Sequence, residues 1–233
     1  MDVKRINEVL SIIKKAKYKA YLVGGSSRDF IFSRDFKDID IATNAPLDFL
    51  SKTFKVESDE GKSMGSIKIN YKNQIMELTR FRKEKYDGKS IYPKVEKFIN
   101  DEEEDAQRRD FTINAIYLDT TNFNVVDPYD GVKDLFSFKV KFIGDPNSRI
   151  KEDPTRIIRG IRLAYKMNFQ IEEATNQAFI DNVLELNRIS KNKLNKEIEK
   201  MIEDFGEDRT YQILKLYNID VKGDLLLRKS RKK

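Results

Sequence analysis

Two aspartates separated by a single residue are the strongest chemical signal in this chain of 233 residues. Asp38 and Asp40 lie in the run Lys-Asp-Ile-Asp-Ile, whose alternation predicts a strand with both carboxylates on one face. Carboxylates so placed can share one or two divalent cations, because hard cations prefer oxygen ligands. Glu77, on a later alternating segment, is a candidate third carboxylate. The competing interpretation for all three is an ordinary polar strand face.

A glycine-rich turn precedes these aspartates. It reads Gly24-Gly-Ser-Ser-Arg28-Asp, between a short apolar strand at 21–23 and a helix predicted over 27–33. Glycines let backbone N–H groups approach an anion, and a helix N-terminus favours phosphate. Arg28 adds a charge-assisted donor. The turn therefore predicts phosphate binding close to the acidic pair.

Composition narrows the chemistry. The chain contains no His and no Cys, which excludes a thiol nucleophile, an imidazole base and His or thiolate metal sites. Hard-metal chemistry on oxygen ligands remains, and phosphoryl transfer with Mg²⁺ is its commonest form. With 45 Lys plus Arg against 39 Asp plus Glu, the net charge is +6. Residues 223–233 are strongly basic and predict either a phosphate-binding tail or a disordered end.

A second group of candidates follows Pro154. Asp153 and Arg156 are three apart in a predicted helix, so both can project from one face, and Arg159 and Arg162 continue that face. A carboxylate that only accepts and a guanidinium that only donates can together pair with the Watson–Crick edge of a base. The competing interpretation is a basic, solvent-facing stripe on an amphipathic helix.

The elements that must position these residues divide the chain in two. Residues 1–147 predict an α+β head, a small mixed sheet with helices, and residues 148–222 predict an all-helical part before the tail at 223–233. In the head we expect helices at 3–17, 46–54 and 106–116, hairpins at 65–71/74–81 and 116–118/124–126, and a long loop at 83–105. In the second part we expect helices at 154–167, 172–187, 190–204 and 207–217.

Five motifs in order resemble those of class II tRNA nucleotidyltransferases and bacterial poly(A) polymerases, within the nucleotidyltransferase superfamily that includes polymerase β. The resemblance covers about residues 18–205. The motifs are Tyr-Leu-Val-Gly-Gly-Ser-Ser-Arg-Asp with Lys-Asp-Ile-Asp-Ile-Ala-Thr-Asn-Ala; Arg-Arg-Asp-Phe-Thr-Ile-Asn-Ala (108–115); Asp-Pro-Tyr-Asp-Gly-Val-Lys-Asp-Leu (127–135) running into Ile-Gly-Asp-Pro (143–146); Glu-Asp-Pro-Thr-Arg-Ile-Ile-Arg-Gly-Ile-Arg (152–162); and, more weakly, Ile-Ser-Lys-Asn-Lys-Leu-Asn-Lys-Glu-Ile (189–198).

The resemblance implies a Mg²⁺-dependent enzyme that adds CCA, or part of it, to tRNA 3′ ends from CTP and ATP. It implies that Asp38 and Asp40 hold the metal, with Glu77 as a further catalytic carboxylate. It also implies that Asp153 and Arg156 replace a nucleic-acid template in base selection. The nucleotide-binding positions it implies are Gly24, Gly25, Arg28, Arg109, Asp110, Asn114, Asp153, Arg156, Arg159 and Arg162. The alternatives are an A-only enzyme or poly(A) polymerase, and a catalytically silent RNA-binding subunit.

Two departures from the family pattern affect these expectations. The glycine turn has Ser26-Ser27 where the family has Ala-Val, and the loop over 83–98 lacks the arginine that usually precedes its proline. The presence of the loop argues against a CC-only enzyme. The helical body and tail with which the family grips tRNA are not matched, so we expect a protein partner, a homodimer or the basic terminus to supply RNA contacts.

No apolar run or signal sequence suggests a membrane, and we expect a cytoplasmic protein.

Overall fold

The computed structural model describes residues 3–36, 38–88 and 90–219, and the backbone of 221–222 and 225–226. The chain forms two compact units. The first comprises Met1–Lys85 and Pro93–Leu135, and the second comprises Tyr86–Tyr92 and Phe136–Lys233. The first unit is a mixed sheet with helices and the second is mainly helical, which confirms the predicted fold class.

The first unit contains helices α1–α5 and strands β1–β9. In chain order they are α1 Val3–Lys15, β1 Ala20–Leu22, α2 Gly24–Ile31, β2 Asp40–Thr43, α3 Leu47–Thr53, β3 Val56–Ser58, β4 Ser66–Tyr71, β5 Gln74–Arg80, β6 Arg82–Lys85, β7 Lys94–Phe98, α4 Glu102–Ala106, β8 Tyr117–Asp119, β9 Asn124–Val126 and α5 Gly131–Phe136. Short 3₁₀ turns span Lys62–Met64 and Thr112–Asn114.

Seven of these strands form one sheet in the order β3-β4-β5-β2-β1-β8-β9. Strand β2 lies near its centre, antiparallel to β1 and parallel to β5. The predicted hairpin β4–β5 is confirmed, with a turn at Lys72 and Asn73 whose φ angles are +51° and +64°. Two successive left-handed residues form the turn type that matches the twist of paired strands.

Helix α1 forms the core of this unit together with the sheet. Ile6, Val9, Leu10 and Ile13 recur at helical spacing and are completely removed from solvent. They belong to one cluster with buried strand residues such as Ile41. Burying a side chain of this size contributes roughly 1.5–3 kcal/mol. The apolar stripe of α1 thus packs against β2, the strand that carries Asp40.

Two predicted elements of the head are wrong. The stretch 83–105 is not a long loop, because β6 and β7 pair as an antiparallel ribbon and α4 follows. The predicted helix 106–116 is also absent: α4 ends at Ala106 and a 3₁₀ turn follows at Thr112–Asn114. Phe111, Ile113 and Ile116 are all completely buried, so this segment crosses the interior instead of turning one apolar face to it.

The second unit contains β10 Lys139–Val140, α6 Pro146–Glu152, α7 Thr155–Met167, β11 Gln170–Ile171, α8 Glu173–Asp181, a 3₁₀ helix Val183–Arg188, α9 Lys191–Phe205, α10 Glu207–Leu216, β12 Val221–Lys222 and β13 Leu225–Leu226. Asp145 and Ser190 cap α6 and α9 by accepting backbone N–H bonds from Ser148 and Lys193. The predicted helix 172–187 is shorter than expected, because α8 ends at Asp181 and continues as the 3₁₀ helix.

The division between the units differs from the predicted boundary at 147. The second unit begins at Phe136, because β10 pairs in parallel with β11. It also includes residues 86–92, whose Tyr86 and Tyr92 contact side chains of this unit. The basic tail predicted at 223–233 lies outside the described residues, apart from the backbone of β13. Among the described residues, no helix is both long and apolar enough to span a lipid bilayer.

Candidate active site

The glycine turn brings the start of α2 directly against Asp40. Gly24 has φ +68°, and a Cβ there would lie 3.3 Å from Asp40 Oδ2. A side chain at this position would be strained by the left-handed backbone and would also press on the carboxylate. Gly25 lies beneath Arg28, whose Nη2 would be 3.4 Å from a Cβ at Gly25. Glycine therefore allows the close approach of this turn to Asp40, and the predicted approach of a phosphate stays a prediction.

Ser26 fixes the main chain around the acidic pair. Its hydroxyl donates to the carbonyl oxygen of Asp38 at 3.0 Å and accepts from the backbone N–H of Asp40 at 2.8 Å. Ser26 is 1% exposed, so water does not compete for these bonds. The prediction that one strand carries both aspartates is wrong for Asp38, because β2 begins at Asp40 and Asp38, whose side chain is exposed, precedes it.

Asp40 and Glu77 are register partners on the adjacent parallel strands β2 and β5. Burial first, and then the negative charges of Glu77 and Asp38, raise the pKa of the Asp40 carboxyl to about 6, against the opposing charge of Arg109. The Ser66 hydroxyl donates to Glu77 Oε1 at 2.6 Å. The structure thus brings Glu77 and Asp38 close enough to Asp40 to act on it electrostatically.

This donor set suits a hard divalent cation, because carboxylate oxygens are the ligands that Mg²⁺ prefers. Burial first, and then neighbouring negative charge, raise the pKa of Asp40, and a cation held there would favour its ionised form. Within the described ranges, however, no three or more acidic side chains already converge on one point as a complete ligand set. Asp38 and Asp40 fit the metal as a partial protein set, which substrate phosphates and water would complete.

Arg28, in the helix that follows the glycine turn, is held by hydrogen bonds to two neighbouring side chains. Its Nε and Nη2 donate to the two carboxylate oxygens of Asp29 at 2.9 and 3.0 Å, and Nη1 donates to Asn114 Oδ1 at 2.7 Å. Asp110 accepts from the backbone N–H of Phe111 at 2.8 Å and from Asn114 Nδ2 at 3.4 Å. The structure therefore joins Arg28, Asn114 and Asp110, three predicted nucleotide-binding residues, in one hydrogen-bonded chain.

Arg109 is the predicted residue whose charge acts on Asp40. Burial alone would lower the pKa of this guanidinium, but Tyr117, Asp105 and the charge of Asp40 raise it above its ordinary value. Arg109 Nε donates to the Tyr117 hydroxyl at 2.8 Å. The first unit thus combines a close pair of carboxylates, a glycine turn and two arginines.

In the second unit, Asp153 and Arg156 stand at the start of α7 as expected, but each is held by other partners. Asp153 Oδ1 accepts from the backbone N–H and the hydroxyl of Thr155 at 3.1 and 2.7 Å. Arg156 Nη1 donates to Glu152 Oε2 at 2.7 Å, and Nη2 donates to the Tyr86 hydroxyl at 3.2 Å. Both side chains are almost fully buried and fixed in direction.

Arg159 and Arg162 differ from this pair. Arg159 is exposed on α7. Arg162 Nε donates to Asp204 Oδ2 on α9 at 2.6 Å, and Lys166 Nζ donates to the other oxygen at 2.8 Å. Arg162 therefore joins two helices of this unit by an ion pair, a structural role that competes with the predicted nucleotide contact.

Sequence reasoning missed several residues that hold the predicted ones. Ser26 and Glu152 lie inside the recognised motifs, yet nothing in their spacing shows what they bind. Asp105 ends the acidic run Asp101-Glu-Glu-Glu-Asp105, which lies in the stretch predicted as a long loop. It stands three and four residues before Arg108 and Arg109, a helical ion-pair spacing that could have identified it.

Comparisons with known proteins indicate the family to which this chain belongs. The family described as the poly A polymerase head domain matches residues 20–141. The CCA-adding enzyme of Staphylococcus haemolyticus is 36% identical over 203 residues, which cover 87% of this chain and 50% of that protein. The CCA-adding enzyme of Lactobacillus johnsonii is 36% identical over 205 residues, covering 88% and 51%. The chain spans about half the length of the curated relatives it matches.

Solved structures give the same result. The Bacillus stearothermophilus CCA-adding enzyme in complex with CTP superposes with a TM-score of 0.80 at 30% identity, covering 91% of this chain and 51% of that one. The Thermotoga maritima CCA-adding enzyme complexed with tRNA, at 21% identity and a TM-score of 0.70, shares the fold. From the matched head domain and the ordered motifs, the chain belongs to the family of class II tRNA nucleotidyltransferases and bacterial poly(A) polymerases.

Proposed function

We propose that this chain is a template-independent RNA nucleotidyltransferase that adds CCA, or part of it, to tRNA 3′ ends from CTP and ATP. The observation that carries the proposal is the register of Asp40 against Glu77, next to a glycine turn that ends at Arg28. The relatives at about a third identity are CCA-adding enzymes, which favours this substrate over other acceptors.

In the proposed reaction, the 3′-hydroxyl oxygen of RNA bonds to the α-phosphorus of the nucleotide and pyrophosphate leaves. Asp38 and Asp40 would hold Mg²⁺, and the chemistry it supplies is stabilisation of negative charge on the attacking and leaving oxygens. Ser26 keeps the backbone of both aspartates in place. Arg28 and Arg109 present positive charge for the triphosphate, as expected for a phosphate-binding group.

Base selection is assigned in this proposal to Asp153 and Arg156. Glu152 and Tyr86 fix the Arg156 guanidinium, and Thr155 fixes the Asp153 carboxylate, so neither must be ordered when a base arrives. Pre-ordered groups lose less conformational entropy on binding. A bidentate contact of this kind discriminates between bases by roughly 1–3 kcal/mol.

An A-only enzyme or poly(A) polymerase is the second candidate. The description of the matching family as a poly A polymerase head domain favours it. The third, a silent RNA-binding subunit, requires that the carboxylates serve no reaction. If Asp38→Ala leaves nucleotide addition unchanged, the metal role proposed for this residue is wrong.

The test is extension of a tRNA that lacks its terminal CCA, with Mg²⁺ and each nucleotide supplied alone. The proposal predicts CTP incorporation on this substrate and ATP incorporation on a tRNA that already ends in CC. Incorporation of ATP but never of CTP would select the A-only alternative. Incorporation of neither would select the silent subunit.

A protein partner or a second copy of the chain that supplies RNA contacts remains a prediction. Sedimentation of the protein with and without tRNA tests it. A mass corresponding to one chain bound to one tRNA would argue against a homodimer.

Cytoplasmic location is also a prediction, and cell fractionation tests it.

A further inference from the structure

Asp105 is a charged side chain with no exposed surface. Its carboxylate accepts from the Tyr117 hydroxyl at 2.5 Å, from Arg108 Nε at 2.8 Å and from the backbone N–H of Arg82 at 2.9 Å. Arg109 Nη2 adds a longer bond at 3.4 Å. Burial would raise the pKa of Asp105, but the two arginines hold it below its usual range, so the carboxylate is ionised.

Tyr117 carries the influence of Asp105 to Arg109. Its hydroxyl gives its single proton to Asp105 and accepts the Nε–H of Arg109 at 2.8 Å, while the guanidinium lies over the Tyr117 ring, 5.0 Å from its centre. Tyr117 is itself completely buried. A phenol with its proton committed can accept from Arg109 in only a narrow range of directions. The pair therefore fixes where the guanidinium points.

The guanidinium fixed in this way acts on the candidate catalytic carboxylate. The charge of Arg109 lowers the pKa of Asp40 against burial and Glu77, and Asp40 in turn raises the pKa of Arg109. Arg109 therefore bonds to the buried network around Asp105 and also contributes charge at Asp40. Through these bonds, a change at Asp105 or Tyr117 can alter the direction of the Arg109 guanidinium.

We propose that Asp105 and Tyr117 are positioning residues that hold the Arg109 guanidinium in the direction needed to meet the nucleotide triphosphate beside Asp40. This inference rests on the proposed function. A flexible arginine would have to be ordered at each binding event, whereas a guanidinium already fixed meets the phosphates at no such cost. Neither positioning residue touches substrate in this account.

The test removes the single hydroxyl that joins the two side chains. Tyr117→Phe keeps the buried ring, and Tyr21→Phe is its matched control. The Tyr21 hydroxyl donates at 2.9 Å to Glu102, which lies on α4 as Asp105 does, and the Tyr21 ring packs edge-on to Tyr117. The readouts are the dissociation constants of CTP and ATP with Mg²⁺ and the rate of extension. Tyr117→Phe is expected to weaken nucleotide binding about tenfold, the effect of one bond to a charged group, and Tyr21→Phe less than about twofold.

A double-mutant cycle separates positioning from a general structural role. In an Arg109→Ala background, Tyr117→Phe is expected to change nucleotide binding less than about twofold, because the group it positions is gone. Equal losses with and without Arg109 would overturn the inference. If Tyr117→Phe fails to fold, Asp105→Asn replaces it, because asparagine keeps the shape of the side chain and removes its charge. Asp105→Asn must then weaken nucleotide binding only when Arg109 is present.

Wild-type protein reports on the proposed function separately. If the wild type binds CTP or ATP but the effects of Tyr117→Phe and Arg109→Ala on binding are additive, the positioning role alone is refuted. No nucleotide binding by correctly folded wild type would overturn both the proposed function and the inference that rests on it. Circular dichroism and thermal melting establish folding for each variant.

Discussion

Replacing Asp40 with asparagine should make the metal-free protein more stable at neutral pH. The structure places this carboxyl in partial burial beside Glu77 and Asp38, which raises its pKa from an ordinary 3.8 to about 6. Each pKa unit corresponds to about 1.4 kcal/mol, so a fully buried group with this pKa would cost about 3 kcal/mol when ionised. Because Asp40 keeps some exposed surface, solvent screening reduces the cost, and we expect about 1–2 kcal/mol.

The sign follows from proton binding. Between about pH 4 and pH 6 the folded state holds a proton on Asp40 that the unfolded state has released, so the free energy of unfolding falls as pH rises through this window. Asparagine has no such dependence. The stability difference between the variant and wild type should be near zero at about pH 4 and complete above about pH 6.5.

Urea unfolding in EDTA at about pH 4 and about pH 7.5 measures this difference, and the pH-dependence common to both proteins cancels. Asp38→Asn is the comparison variant: Asp38 is exposed, and its carbonyl bond to Ser26 is unaffected by the change. It removes only one of the smaller causes of the raised Asp40 pKa, so it should stabilise the protein less than Asp40→Asn. Mg²⁺ at about pH 7.5 should stabilise wild type more than Asp40→Asn. A variant that is equally or less stable than wild type at about pH 7.5 in EDTA would refute the reasoning.

Three further substitutions test separate parts of the site. Gly24→Ala and Gly144→Ala both place alanine at a positive φ, so each should lower the free energy of unfolding by roughly 1–2 kcal/mol. Only the alanine at position 24 presses on Asp40, so extension activity should fall in Gly24→Ala alone. Similar activity in both variants would contradict the close-approach role. Glu77→Gln should slow extension about tenfold or more while stabilising the metal-free protein at neutral pH, and unchanged extension would exclude a catalytic carboxylate. Arg156→Ala should reduce discrimination between CTP and UTP about tenfold, with a smaller change in nucleotide affinity; a uniform loss would contradict base selection.

The sequence could predict several of the elements that carry the candidate residues, because the signals for those elements are local. The alternation around Asp40, the glycine turn and the proline before α7 each depend on a few neighbouring residues, and the hairpin β4–β5 depends on its two-residue turn. Register across the sheet is different. That Asp40 lies opposite Glu77 follows from the pairing of two strands far apart in the chain, which no local pattern specifies.

The errors have related causes. Strands β6 and β7 read Arg-Lys-Glu-Lys and Lys-Val-Glu-Lys-Phe, so their ribbon has almost no apolar alternation to detect, and a polar loop was the natural prediction. Asp105 falls at the end of the stretch 83–105 predicted as a loop. Only the folded chain shows that it is completely buried among arginines, because charged residues are almost never fully buried unless paired.

The decisive measurement asks whether the carboxylate site around Asp40 carries out nucleotidyl transfer. Wild type and Asp40→Asn are each given a tRNA that lacks CCA, with CTP, ATP and Mg²⁺ together, and the products are sequenced. The account predicts that wild type adds C, C and A in that order, and that Asp40→Asn, although folded, adds at least about a hundredfold more slowly. Equal extension by the two proteins, or no extension by either, would contradict the assignment of nucleotidyl transfer to this carboxylate site.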